Sequence, residues 1–319
     1  MFALLVILVA LIIVVEIISV DPFLTVINIR AIFDSMVITS MLTIGAAMLL
    51  ISGQLDLSVG TVGTAAAIMF AYLMHTLSMP WFLALALSLL AAGAIGAINA
   101  TLVNVVRFPA FIATLGMASF AEGLSFIFTQ GATIPVREPF VRWVGTYRIG
   151  EVFPIAVILL IVAFIAYGII LNKTKFGRHI YLVGGNPHAT RLSGINPKKV
   201  SFILFINSSL LGAMAGILLS SRVAAATAIG IRERQFFGLT AAILGGVAFG
   251  GGTGGMGGAF VGLLIFSAFA SGMVHLRVGS FWNQVIFGLL LLGALTFDYV
   301  SKSKPGKKQK KAKKIKKAA

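Results

Sequence analysis

Apolar residues run along this chain in blocks of about twenty, the length a helix needs to cross a hydrocarbon core of about 30 Å, and short polar connectors separate them. Backbone inside lipid must satisfy its own hydrogen bonds, which favours helices. The pattern predicts spans near residues 2–20, 31–51, 57–78, 80–106, 108–129, 152–171, 199–219, 237–250, 256–275 and 281–300. That is an all-α integral membrane protein, a polytopic bundle of about ten transmembrane helices, or eight to ten once the short eighth block is weighed. Pro80, Pro109 and Pro154 stand near the starts of spans, where a missing N–H costs nothing. The first block carries Glu16, lacks a basic leader and has no small-residue cleavage site after it, so it reads as a span and not as a removable signal.

One connector is punctuated residue by residue. In Asn186-Pro-His-Ala-Thr-Arg-Leu-Ser-Gly194, Asn186 suits a helix cap, Pro187 the first helical position and Gly194 the left-handed residue past the end. Asn196 and Pro197 repeat the start signal for the next span. The enclosed helix is about two turns, marginal alone in water, and Ala189 and Leu192 are its apolar side chains. A short, well-delimited helix held between membrane spans is a surface for docking a soluble partner.

Composition agrees with the class: 59% hydrophobic, 11% charged, mean hydropathy +1.03, where a soluble chain would carry roughly a quarter charged residues. Cysteine is absent, which excludes disulfides and thiolate metal sites. Charge sets the orientation. Lys173, Lys175, Arg178, Arg191, Lys198 and Lys199 fall in 172–199 with no acid, and ten lysines fall in 302–317. Basic connectors lie on the cytoplasmic side, so the docking loop 172–199, both termini and Arg107 belong inside, and loop 130–151 outside. Arg222, Arg232 and Arg234 would then lie outside, against the rule. Region 220–240 therefore either dips into the membrane or changes the count. Residues 301–319 read as a disordered basic cytoplasmic tail against anionic inner-leaflet lipid, in preference to nucleic acid. The transmembrane domain is 1–300.

Polar residues inside the spans are candidates for a pathway. Asp56, in Ser52-Gly-Gln-Leu-Asp-Leu-Ser-Val-Gly60, either caps the next helix or, with Gln54, lines a route at a break near Gly53. The run Gly245 to Gly258 is a second break, serving either close helix packing or a gate, and no Gly-Lys-Ser/Thr follows it to bind a nucleotide. Glu122 sits mid-span, where an acid costs about 2.5–3.5 kcal/mol on insertion scales, and so should face the bundle interior. There it either meets substrate or pairs with a neighbouring helix. Asn99, Asn104, Asn207, Asn283 and Gln284, with aromatics such as Phe126 and Trp282, suit a neutral, hydroxyl-rich solute, although helix-to-helix hydrogen bonding is the commoner use of each amide. His75, His179, His188 and His275 have no metal-ligand spacing, and no catalytic constellation can be defended.

Several of these motifs together resemble the permease subunits of bacterial ATP-binding-cassette importers for monosaccharides, the ribose, xylose and galactose type. Ile51 to Gly60 is similar to that family's Gly-Gly-Ile-Asp-Leu-Ser-Val-Gly signature, with Gln54-Leu55 in place of Gly-Ile. Phe111-Ile-Ala-Thr-Leu-Gly-Met117 resembles its Phe-Ile-Val-Thr-Leu-Gly-Met stretch, and Phe176 to Gly185 followed by Arg191 to Asn196 its cytoplasmic coupling loop. Such permeases carry Glu-Ala-Ala-x-x-x-Gly on a coupling helix; here His188 takes the glutamate place and Thr190 that of the second alanine. Arg232 to Gln235 is more basic than usual for the segment before the glycine break.

The resemblance implies a transport subunit in the inner membrane that is not itself an enzyme. It implies a permease homodimer, an external sugar-binding protein that selects cargo, and a cytoplasmic ATPase that holds the ATP and magnesium, leaving no cofactor on this chain. Asn186, His188, Ala189, Thr190, Arg191, Leu192 and Gly194 would dock the ATPase. Gln54, Asp56, Asn99 and Glu122 would line an alternating-access pathway. The alternatives are the same architecture carrying nucleosides, branched amino acids or a signalling sugar, an ion-coupled secondary transporter, and a polytopic anchoring protein without transport.

Overall fold

The structure, a computed structural model, describes residues 2–19 and 21–303. The lysine-rich tail lies outside the described residues from position 304 onward. Every predicted span falls on a helix: α1 (Phe2–Ile18), α2 (Val26–Ile51), α3 (Val59–His75), α4 (Trp81–Thr101) continued by a π-helical turn at Leu102–Val106, and α5 (Ala110–Thr129). A short α6 (Pro139–Thr146) precedes α7 (Ala156–Lys173). After α8 (Lys175–Gly185) and α9 (Pro187–Leu192) come α10 (Pro197–Val223), α11 (Gln235–Leu244), α12 (Met256–His275) and α13 (Ser280–Ser303).

Seven of these, namely α2, α4 with its π turn, α5, α7, α10, α12 and α13, are long and apolar enough to cross a membrane, while α1, α3 and α11 are apolar but shorter. Local chemistry explains the starts. Thr25 caps α2 by accepting from Asn28 N, and the Asn196 side chain accepts from Lys198 N and Lys199 N at the head of α10. Pro80 and Pro109 occupy the cap positions of α4 and α5.

α10 stands at the centre, packed against α2, α3 and α4. α2 is buried over most of its length, whereas α4, α7 and α13 turn most of theirs outward, as lipid-facing helices must. One end of the bundle carries α8, α9 and the unopposed lysines. The other carries α6 and two small antiparallel ribbons, β1 (Ile134–Pro135) with β4 (Ala225–Ala226) and β2 (Arg148–Ile149) with β3 (Phe153–Pro154). α1 runs from the basic end to the ribbon end, where its Val15 meets Gly272 of α12. α13 returns to the basic end, where its Asp298 accepts from Phe249 N at 3.2 Å.

Two crossings are broken side by side. After Ala224, in left-handed conformation at φ +56, the chain passes through turns over 227–234, and Ile231 N donates to Thr64 Oγ1 of α3 at 3.0 Å. Only then does α11 begin. It has ten residues, about 15 Å at 1.5 Å per residue and half a hydrocarbon core. Gly252 N reaches Ile51 O at 2.8 Å at the basic end, so 224–252 traverses the bundle, irregular in its first half and helical in its second. Counted with this crossing the bundle has about ten passes, with region 220–240 irregular at depth. Irregular backbone survives at that depth because it is buried in protein; Ile231 has no exposed surface. The second break, 52–58, connects α2 to α3.

Of the three arginines that contradict the charge rule, Arg222 and Arg232 have acidic partners, and Arg234 forms no ion pair among the described residues. Arg148 and Arg222 each place a guanidinium nitrogen 2.8 Å from Asp34 Oδ2, and Arg232 pairs with Glu122. Arg30 and Arg277 lie 3.7 Å from Glu151 and Asp21.

Candidate functional site

The short helix α9, predicted as a docking element, forms with the bounds its punctuation specifies. Asn186 is extended (φ −160, ψ 97), its Oδ1 accepts from Ala189 N at 3.0 Å, Pro187 opens α9, and Gly194 closes it at φ +79. His188, Ala189, Arg191, Leu192 and Gly194 are exposed. Leu192 is the most prominent, 79% exposed, an apolar knob at the end of a helix with little core of its own.

Thr190 is the exception. It is buried, and its hydroxyl lies 2.7 Å from the carbonyl oxygens of both Leu182 and Asn186, sharing its proton between them. It therefore pins α9 onto the end of α8 and does not itself offer a docking surface. Thr190→Val keeps the shape and removes the proton. A lost hydrogen bond of this kind costs about 1–2 kcal/mol, so amide exchange over 187–195 should speed up about tenfold while the melting temperature stays within a degree or two. Unchanged exchange would count against the pin.

Sequence reading did not foresee α8. The Thr174 hydroxyl caps it by accepting from Gly177 N at 3.1 Å, and it buries Gly177, Ile180 and Val183. Tyr181 on α8 donates to Gly254 O at 2.7 Å, and burial pushes its hydroxyl pKa up. Gly184 lies against Ile51 and Gly252. α8 thus touches the basic ends of both broken crossings: the α2–α3 connector at Ile51 and Gly53, and the glycine loop at Gly251 and Gly252. A displacement of α9 has a packed route into the membrane.

The four candidate pathway residues divide into two groups. Asp56 Oδ1 accepts from Ser58 N at 2.8 Å and Ser58 Oγ at 2.6 Å, and its Oδ2 accepts from Ser208 Oγ of α10 at 2.9 Å. Asn99 Nδ2 donates to Ser58 Oγ at 2.8 Å. Gln54 Oε1 accepts from Ser201 Oγ at 2.7 Å, and that hydroxyl accepts in turn from Asn104 Nδ2 at 3.0 Å. These groups stitch the connector to α4 and α10, with the Asp56 carboxylate at the positive end of α3. Beside them lies a cavity of about 10 Å³ bordered by Asp56, Ser208 and Gln235, room for one water.

Glu122 is separate. It sits midway along α5, about a third exposed, in an ion pair with Arg232 on the irregular segment ahead of α11. Arg232 was not among the candidates. The charges of Arg232-Glu-Arg-Gln235 between two apolar blocks were the available signal.

Comparison with known proteins places this geometry. The family described as "Branched-chain amino acid transport system / permease component" matches residues 28–295. The ribose import permease protein RbsC of Escherichia coli (strain K12) is 31% identical over 303 residues, covering 91% of this chain and 92% of the relative. The L-arabinose transport system permease protein AraH of the same strain is 30% identical over 294 residues, 90% and 87% of the two chains. The autoinducer 2 import system permease protein LsrC of Photorhabdus luminescens is 31% identical over 275 residues, 85% and 81%. No solved structure matches the chain.

Proposed function

We propose a function from one premise: the chain belongs to the permease family described as the branched-chain amino acid transport system permease component. It is the membrane-spanning permease of an ATP-driven, binding-protein-dependent importer, and its cargo is a monosaccharide. Relatives named for ribose and L-arabinose, each matched over about nine-tenths of this chain, support the cargo class.

The observation that carries the mechanism is a capped, exposed α9 braced by α8 against both broken crossings. A separate cytoplasmic ATPase binds the exposed face of Asn186, His188, Ala189, Arg191 and Leu192 and hydrolyses the ATP; the permease is not itself an enzyme. ATP binding draws two such ATPases together under a permease homodimer. α9 moves with them, α8 transmits the movement to the connector at Gly53 and the loop at Gly251, and the pathway opens alternately outward and inward. A binding protein delivers the sugar at the ribbon end. The basic end faces the cytoplasm, because the segment 172–199 there carries Lys173, Lys175, Arg178, Arg191, Lys198 and Lys199 and no acid of its own. Both termini then lie on the cytoplasmic side of the inner membrane.

Reconstitution with the neighbouring ATPase and binding protein tests this. Gly194→Val forces a β-branched residue into left-handed backbone, at a cost of roughly 1–2 kcal/mol, and misdirects the end of α9. Sugar uptake should fall at least tenfold while basal ATP hydrolysis persists. Parent-like coupling in that variant, or uptake that survives ATP depletion and collapses with an ionophore, would overturn the reading.

A further inference from the structure

Three carboxylates at or near membrane depth behave differently. Asp34 and Asp56 are buried and fully engaged, Asp34 by two arginines and Asp56 by Ser58 and Ser208. Glu122 and Arg232 are each about a third exposed. A charge at that depth faces protein or a watery cavity, not lipid. The adjoining face of α5, about 100–120° around the helix from Glu122, is open as well, for beyond Gly116 and Gly123 no atom lies within 4 Å.

From this juxtaposition, and resting on the importer reading above, we propose that Glu122 and Arg232 together form a sugar-binding rung of the translocation pathway. The ion pair joins Arg232 Nη1 to Glu122 Oε1, and Arg232 Nη2 lies 3.6 Å from Glu233 Oε1, which leaves Glu122 Oε2 to accept and the guanidinium N–H groups not aimed at either carboxylate to donate. Vicinal hydroxyls both donate and accept, so a diol edge fits the free carboxylate oxygen of Glu122 beside the Arg232 guanidinium. Phe126, one turn further along α5, and Phe236, at the start of α11, are exposed and offer apolar surface to the C–H side of a sugar ring. Glu122 therefore acts with a partner contributed by the broken crossing. Asp56, the more conspicuous acid in the sequence, holds helices together.

The chain has no cysteine, so Glu122→Cys carries a single thiol. Membrane vesicles bearing this variant, with the ATPase and binding protein, are treated with a charged methanethiosulfonate reagent. Glu151→Cys, at an exposed position, serves as the reactive control, and Val162→Cys, on the outward face of α7, as the lipid-facing one. Glu122→Cys should react, and reaction should slow when sugar-loaded binding protein is present. Glu122→Gln, nearly isosteric, should lower uptake about tenfold with normal extraction from the membrane. Three results overturn the proposal: Glu122→Cys inert while Glu151→Cys reacts, a disulfide linking two copies through Glu122→Cys, or full uptake by Glu122→Gln. If the parent complex takes up no sugar, the importer reading fails on its own account, and the labelling still decides whether Glu122 faces water.

Discussion

Gly216→Val is expected to leave little stably folded protein. α3 and α10 cross where Gly63 faces Gly212 and Gly216, and a Cβ on Gly216 would lie 2.0 Å from the Gly63 carbonyl oxygen. The atoms in the way are backbone, and α10 cannot retreat because α2 and α4 pack on its other sides. Overpacking commonly costs about 1–3 kcal/mol, and occasionally more; a clash with immovable backbone belongs at the upper end, about 3 kcal/mol or above. Lipid adds no hydrophobic force between helices, so close contact through small residues is a main source of their association. Size-exclusion of detergent-extracted protein after a heating series measures the effect. Gly216→Val should melt at least 10 °C below the parent, with Gly216→Ala between them. A parent-like profile for the valine variant would refute the crossing.

Asp34→Ala should be nearly as damaging, for an electrostatic reason. Its carboxylate is shared by Arg148 on β2 and Arg222 near the end of α10, both at 2.8 Å. Removing one partner of a buried ion pair costs about 3–5 kcal/mol because the charge left behind is uncompensated. Here two guanidiniums are stranded, but each keeps about a third of its surface in water, so the lower figure, about 3 kcal/mol, is the expectation. Thermal melting in detergent should drop accordingly, and the β2–β3 ribbon should become protease-sensitive. Adding Arg148→Gln and Arg222→Gln to Asp34→Ala removes the stranded charges and should recover part of the loss. An Asp34→Ala protein that melts with the parent would show that the triad contributes nothing.

The spans and the docking helix were legible because their signals are local. A block of about twenty apolar residues is a span wherever it lies in the chain, and Asn186, Pro187 and Gly194 mark the bounds of α9 through backbone preferences of their own. The eighth block exposed the limit of that logic. Hydropathy over 237–250 looks continuous, yet the helix stops at Leu244 and the preceding half of the crossing is turns, because Ile231 finds a hydrogen-bond partner in Thr64 that lies far away in sequence. Thr190 was legible as a member of α9 but not as its anchor, since the carbonyl of Leu182 belongs to a helix with no strong sequence signal.

What the sequence determined by itself is the class, the apolar blocks that form helices, the basic segment and the bounds of α9. Each follows from hydropathy, net charge or capping within a short window. Tertiary structure alone decided which acids are structural and which are open. Glu122 meets Arg232 across 110 positions, and Asp34 meets Arg148 and Arg222 across 114 and 188. A carboxylate's role depends on the charges and donors folded against it, and no local window contains residues so far apart.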